Sequence, residues 1–256
     1  MKRPFSTLPA CAAEAASARR MPAWLAIAVV LAQSAWPVPA LANPQSELAD
    51  AIKKLAGEPN YSWTSAQKTE GSETGRKQGP LEGKTEKDGI THLKVASGDS
   101  SYELAFKGEK VAVKLSEDWI DPSELPVDDG RLERRLKAFK TPAKESAEFL
   151  AKVGDVKKEA GEPGEPAYSG RLTPDAAKAM FALLGKRAAE APQAEGALKF
   201  WVKDGRLMKY ELKLQGKITV GADKREVTIT RTTTVEIKDV GSTKISLPES
   251  ARSRLS

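Results

Sequence analysis

The sequence predicts an α+β fold: a single domain built on a large, curved antiparallel β-sheet (half-barrel) with helices covering its concave face. Two observations carry this. Residues 195–246 read as three long strands that turn back on one another, with apolar and polar side chains in strict alternation. Residues 130–153 and 173–184 carry apolar residues at helical spacing. A sheet with one wet face and one apolar face must bury the apolar one against another layer, and those helices supply it.

The first 42 residues read as a secretory signal peptide. Lys2, Arg3, Arg19 and Arg20 precede an apolar run from Ala23 to Ala32, and Ala40-Leu41-Ala42 places small residues where a signal peptidase cuts. The run is too short for a stable span, which needs about 20 apolar residues. The mature chain is thus expected to begin at Asn43, with no integral membrane segment, in the periplasm or outside the cell. Cys11 is the lone cysteine and precedes the apolar run. The mature chain is therefore expected to have no disulfide, no thiolate nucleophile, no cysteine metal site and no lipobox anchor. Four of the 41 basic and one of the 35 acidic residues lie in residues 1–42, which leaves 37 and 34, a net charge of +3. The lysines alternate with glutamates, so no clustered basic footprint for nucleic acid is present.

Residues 43–256 form the predicted domain. Leu48, Ala51, Ile52 and Leu55 make one helical stripe, with Ser46 as the expected N-cap and Gly57 as the stop. Tyr61 to Glu70 is a first strand, and Gly71 to Gly79 a polar loop. Gly83–Glu86 and Ile90–Val95 pair around Lys87-Asp88-Gly89, and Ser101–Lys107 and Lys110–Leu115 pair around Gly108-Glu109. Their inward candidates are Tyr102, Leu104, Phe106, Val111, Val113 and Leu115.

A helical middle follows Trp119. Leu132, Leu136 and Phe139 share one face; after Pro142, the inward positions are Ala143, Ala147, Leu150 and Val153, with Ser146 on the same face and Phe149 at its edge. Gly154–Ala160 and Ala167–Leu172 read as strands. Thr173-Pro174 then opens a helix carrying Ala176, Met180, Phe181 and Leu184.

The long strands come next. Met208, Tyr210, Leu212, Leu214, Ile218 and Val220 share one parity, and Gly216 interrupts that row, which implies a bend or bulge. Val227, Ile229, Thr233, Val235 and Ile237 repeat the scheme. Arg231 falls on the apolar parity and is the misfit. Asp204-Gly205 marks a tight hairpin, and Pro248 to Leu255 closes the chain as a short helix.

Chemistry-bearing patterns are few. The sequence has no glycine-rich phosphate loop and no metal-ligand cluster, and its serines and acids form no nucleophile or acid–base arrangement. His92, the only histidine, lies on a strand with no partner at a telling spacing and reads as a sheet-face residue. Arg131, Arg134 and Arg135 read as a solvated helix face, with an anion or partner patch as the alternative. No catalysis, cofactor or metal is expected.

The order of elements resembles a family. An N-terminal helix, a strand with Tyr61-Ser62-Trp63, a meander ending at Trp119, central helices and long final strands look like the LolA/LolB superfamily of bacterial lipoprotein and lipid carriers, nearest to its LppX/LprG- and RseB-type members. The segments Tyr168 to Thr173, Lys203 to Glu211, Asp239-Val240-Gly241 and Leu247 to Ala251 carry the likeness. It implies a curved sheet wrapped around helices, with an apolar cavity for acyl chains. The expected function is a soluble, exported binder or carrier of a lipid or lipoprotein acyl chain. The expected lining is Tyr102, Leu104, Phe106, Val113, Leu136, Phe139, Met180, Phe181, Tyr210 and Leu212. The alternative is a periplasmic protein-interaction or sensor module with the same fold and a filled core.

Overall fold

The computed structural model describes residues 43–71, 78–97, 100–124, 139–162, 165–221 and 223–256. The expected signal peptide, most of the polar loop at 71–79, the helix face of Leu132 and Leu136, and the arginines at 131, 134 and 135 lie outside them.

The strands are β1 (Asn60–Glu70), β2 (Gln78–Glu86), β3 (Ile90–Ser97), β4 (Ser100–Lys107), β5 (Lys110–Leu115), β6 (Asp118–Ile120), β7 (Lys157–Glu162), β8 (Glu165–Arg171), β9 (Ala194–Lys203), β10 (Arg206–Val220) and β11 (Arg225–Lys238). They form one open 11-stranded sheet, ordered β6-β5-β4-β3-β2-β1-β11-β10-β9-β8-β7. Every pairing is antiparallel. The chain lays down one arm as a meander from β1 to β6, then returns to build the other arm from β7 to β11. β1 and β11 close the two arms against each other, with Trp63 opposite Ile237 and Ser65 opposite Val235.

The helices are α1 (Pro44–Ala56), α2 (Pro142–Leu150), α3 (Pro174–Ala182), α4 (Lys186–Ala189) and α5 (Glu249–Leu255). The first four cover the concave face. Leu48, Leu55, Phe149, Phe181, Phe200 and Tyr210 belong to one buried cluster between these helices and the sheet. α5 lies on the opposite face. Ala251 and Leu255, with Ile245 and Leu247, pack on Ile90, Ala105, Ala112 and Trp119. Ala105 and Ala112 are cross-strand partners, and both are fully buried. Their methyl groups leave room for a helix where larger side chains would hold it off.

Local chemistry explains the elements. At the β9–β10 turn, Asp204 and Gly205 both take positive φ, 51° and 69°, the conformation that a two-residue hairpin of matching twist requires. Thr173 caps α3 by accepting from the Ala176 amide, with Pro174 at the first helical position.

Several expectations are corrected. Asn43, not Ser46, caps α1: its Oδ1 accepts from the Gln45 amide at 3.0 Å, and Pro44 starts the helix. On α2 the buried positions are Pro142, Ala143, Ser146, Phe149 and Leu150, while Ala147 is exposed. Phe149 therefore points to the sheet, edge-on to Tyr210 at 5.9 Å. Gly216 makes no bulge. The ladder runs through it, and a Cβ there would stand 2.6 Å from the Phe181 ring. The irregularity falls instead between Leu207 and Lys209, so Leu207 is buried and Met208 is left half-buried. The strand expected over Gly154–Ala160 runs from Lys157 to Glu162.

Candidate functional site

The registers of the meander arm stack side chains into rows across the concave face. One row runs Tyr61, Thr85, Thr91, Phe106 and Val111 over β1 to β5. The next runs Trp63, Gly83, Leu93, Leu104 and Val113. The rows behave differently. In the second, the Trp63 ring lies flat over Gly83, where a Cβ would come within 2.1 Å of it, and Leu93, Leu104 and Val113 are buried.

The first row instead floors a cavity of about 730 Å³. Phe139 and Thr141 form its far wall, and Ala56 to Pro59 with Ala143 form its side. Phe139 is stacked 6.4 Å from Trp63 and set edge-on to Phe106 at 5.1 Å. The floor is less polar than its composition suggests. Thr91 donates to the Thr85 hydroxyl at 3.2 Å, and Thr85 donates to the Ile90 carbonyl at 3.4 Å, so the hydroxyls satisfy one another. Glu58, Glu86, Lys87, Glu109, Lys140 and Lys144 also border it; Glu58 is paired with Arg206, and Glu86 accepts from the Ile245 amide at 2.6 Å.

Two glutamates tie the covering helices to the sheet. On α1, Glu47 accepts from the Tyr168 hydroxyl at 2.6 Å and pairs with Lys158 at 2.7 Å. Those hydrogen bonds hold its carboxyl below the usual range. On α2, Glu145 accepts from the Tyr210 hydroxyl. Burial pushes this carboxyl up, and burial together with the adjacent Glu145 charge pushes the Tyr210 phenol up. A second hollow, about 690 Å³, runs along the junction of α1 and α2. Its floor is Ala49, Ile52, Ala56, Ala143, Ala147 and Leu150, flanked by Lys53 and Lys144.

His92 sits on the outer face. Its Nε2 lies 2.9 Å from Glu103, which also meets Lys114 at 3.3 Å, and its ring is 6.2 Å from Trp119. Desolvation holds its pKa down. The cluster is remote in orientation from the concave face.

Of the ten expected lining residues, Phe106 and Phe139 line the cavity. Leu104, Val113, Phe181, Tyr210 and Leu212 are buried in the packed cluster. Tyr102 and Met180 are half-buried against it, and Leu136 lies outside the described residues. Tyr61, Thr85, Thr91 and Val111 complete the floor and were not nominated from the sequence. Their shared row follows from the register of five strands, although Val111 and Tyr61 already stand on inward parities of their own strands.

No protein-family model and no curated protein matches this sequence. Solved structures do. The chain is similar to the Mycobacterium tuberculosis lipoprotein LppX at 11% identity and a TM-score of 0.45, over 80% of this chain and 98% of that one. It is similar to LprF from Mycobacterium bovis at 11% identity and a TM-score of 0.46, over 81% and 97%. It is also similar to a LolA superfamily protein from Nitrosomonas europaea at 12% identity and a TM-score of 0.27, over 81% and 96%. No residue role passes from them to this chain.

Proposed function

We propose that residues 43–256 bind or carry an acyl chain of a lipid or lipoprotein, without catalysis, as a soluble protein of the periplasm or the exterior. The observation that supports this reading is the cavity floored by Tyr61, Phe106 and Val111 and walled by Phe139. Its volume falls within the roughly 300–1,000 Å³ usual for small-molecule sites. Its aromatic and aliphatic walls suit a hydrocarbon, each methylene of which contributes about 0.8 kcal/mol on burial. Among the described residues no helix is long and apolar enough to cross a membrane. The test is native mass spectrometry of protein released gently from its own host, which should show a lipid adduct. Lipid-free protein that also ignores a fluorescent fatty acid removes the reading.

One observation favours a second reading, a periplasmic interaction or sensor module. Five nominated lining residues are packed core, and the alanine-floored hollow between α1 and α2 faces outward. A protein partner recovered in stoichiometric amount, displaced by Ala147→Glu and free of lipid, supports it.

A further inference from the structure

Arg231 is out of place on the sheet. From Val227 to Ile237, β11 presents Val227, Ile229, Arg231, Thr233, Val235 and Ile237 to the concave face, alternating with residues turned outward. Its neighbours across the ladder are Leu214 on β10 and Thr69 on β1. The facing row of β10 is apolar from Tyr210 to Ile218, and that of β1 carries Trp63, Ser65, Gln67 and Thr69. Arg231 is thus the one charge on the concave-facing rows of this stretch of three strands.

Its pairing is incomplete. One terminal nitrogen donates to the Gln67 side-chain oxygen at 2.6 Å, a neutral acceptor. Its Nε is buried with no hydrogen-bond partner among the described residues, and no carboxylate among them pairs with it. A guanidinium cannot shed its charge as a lysine can, and a half-buried cation without a counter-charge is costly to keep. An aliphatic residue would fill this apolar row at lower cost. The surroundings also have a direction. Leu212, Leu214 and Ile229 are buried on one side, while Gln67 and Thr69 are exposed on the other. Arg231 therefore stands where the packed apolar face gives way to solvent. Gln67 is six residues from Tyr61 along β1, about 20 Å at the rise of a strand, so this point lies toward the opposite end of β1 from the Phe106 cavity.

We propose that Arg231 is an oxyanion site on the concave face, taking the carboxylate or phosphate of an acidic amphiphile through its fork of donors, with Gln67 orienting the guanidinium. This goes beyond the acyl-chain reading, because the site stands apart from the Phe106 cavity and can be tested separately from it. A planar guanidinium offers two parallel donors to a carboxylate or phosphate; each terminal nitrogen carries two hydrogens, so the single Gln67 bond leaves an end-on pair from the two terminal nitrogens to supply them, while Nε stays buried.

The test compares dioleoylphosphatidylglycerol, dioleoylglycerol and inorganic phosphate on the mature chain and on Arg231→Leu. The two lipids share their chains and differ in head-group charge. The wild type is expected to bind the phospholipid roughly tenfold or more tightly than the neutral lipid, as a charge-assisted hydrogen bond allows. Arg231→Leu should abolish that preference, keep the affinity for dioleoylglycerol, and unfold at an equal or higher temperature. Arg231→Lys should recover part of the preference. Phosphate that raises the Tm of the wild type but not of Arg231→Leu places a free anion at the site; phosphate without effect assigns the oxyanion to the lipid. Equal binding of the two lipids by the wild type, or a preference that survives Arg231→Leu, overturns the inference and leaves the acyl-chain reading standing. A large loss of stability in both Arg231→Leu and Arg231→Lys also overturns it, since it marks a structural ion pair. If neither lipid binds, the acyl-chain reading fails, and the phosphate arm alone decides Arg231.

Discussion

Tyr210 on β10 donates its phenolic hydrogen to the Glu145 carboxylate on α2, joining the helix to the middle of the sheet beneath it. Phe149, one turn further along α2, meets the same Tyr210 ring edge-on. A buried carboxylate is an expensive tether, and its cost appears in its titration. Burial pushes Glu145 up, against the pull of Tyr210 and of Lys140. A carboxyl that holds its proton more tightly when folded favours the folded state below the ordinary carboxylate range, and that contribution is lost as pH rises through its elevated value. Glu145→Gln keeps an acceptor for Tyr210 and removes the charge. The variant should therefore gain stability relative to the wild type on going from about pH 4 to about pH 7.5. Urea midpoints at the two pH values decide it; a constant difference means the carboxylate is not desolvated as the geometry implies.

Glu47 on α1 works in the opposite sense. Its hydrogen bonds from Lys158 and Tyr168 hold its carboxyl down. Its contribution is present above the ordinary carboxylate range and fades as pH falls through the depressed value. Glu47→Gln should accordingly flatten the acid side of the stability profile and leave the profile near neutrality almost parallel to that of the wild type. The two glutamates thus give the covering helices opposite responses to acid, and the double variant should show both changes additively, because the pairs share no partner.

Gly83 is where Trp63 gets its room. A methyl group there would meet the indole at 2.1 Å, so Gly83→Ala must tilt Trp63 and loosen its stack on Phe139. Overpacking of this kind costs about 1–3 kcal/mol. Shrinking the ring should recover part of that loss, so Gly83→Ala with Trp63→Leu is expected to be less destabilised than the sum of the single changes. Additive losses in a chemical-denaturation cycle count against contact between the two residues.

Much of this architecture is legible in the sequence, and the illegible parts have physical reasons. The alternation holds through β9, β11 and β10 beyond the irregularity at Leu207–Lys209, because one face is wet and the other packed, and Arg231 stands out against it for the same reason. The cap of α1 was misplaced because Asn43 and Ser46 are both good caps, and only Pro44 at the first helical turn decides between them. The inward face of α2 is legible at Ala143, Ser146 and Leu150, but small residues at 143, 146 and 147 leave its register loose, and only the packing of Phe149 on Tyr210 turns Ala147 outward. The cavity floor was half-missed because it is a row across strands. Thr85 and Thr91 carry no apolar signal of their own and become neighbours of Phe106 only once the register is known.

Val111 and Val113 allow a controlled comparison on one strand. Both point to the concave face of β5, yet Val111 lines the cavity and Val113 is buried against Leu104. Val111→Phe should fill empty space, lowering uptake of a fluorescent fatty acid several-fold with little change in stability. Val113→Phe should do the reverse, costing about 1–3 kcal/mol through overpacking while leaving the cavity open. If both changes affect stability alike, the cavity is not a ligand space in solution.

The C-terminal helix supports this same arm from behind. Leu255 and Ala251 of α5 press on Ala105, Ala112 and Trp119, the outward-facing residues of the strands whose inward faces carry Phe106 and Val111. β6, at the edge, is three residues long and pairs only with β5, so α5 is the main apolar cover for Trp119. Leu255→Ala should cost about 2–3 kcal/mol, toward the low end for a buried leucine because the helix end can relax. The loss should be local. Hydrogen exchange should accelerate over β4 to β6, where Trp119 loses its cover, and remain slow over β9 and β10, which are packed under α1, α3 and α4. Uniform acceleration across the sheet would show that the two arms unfold as one unit and that α5 is no separate brace.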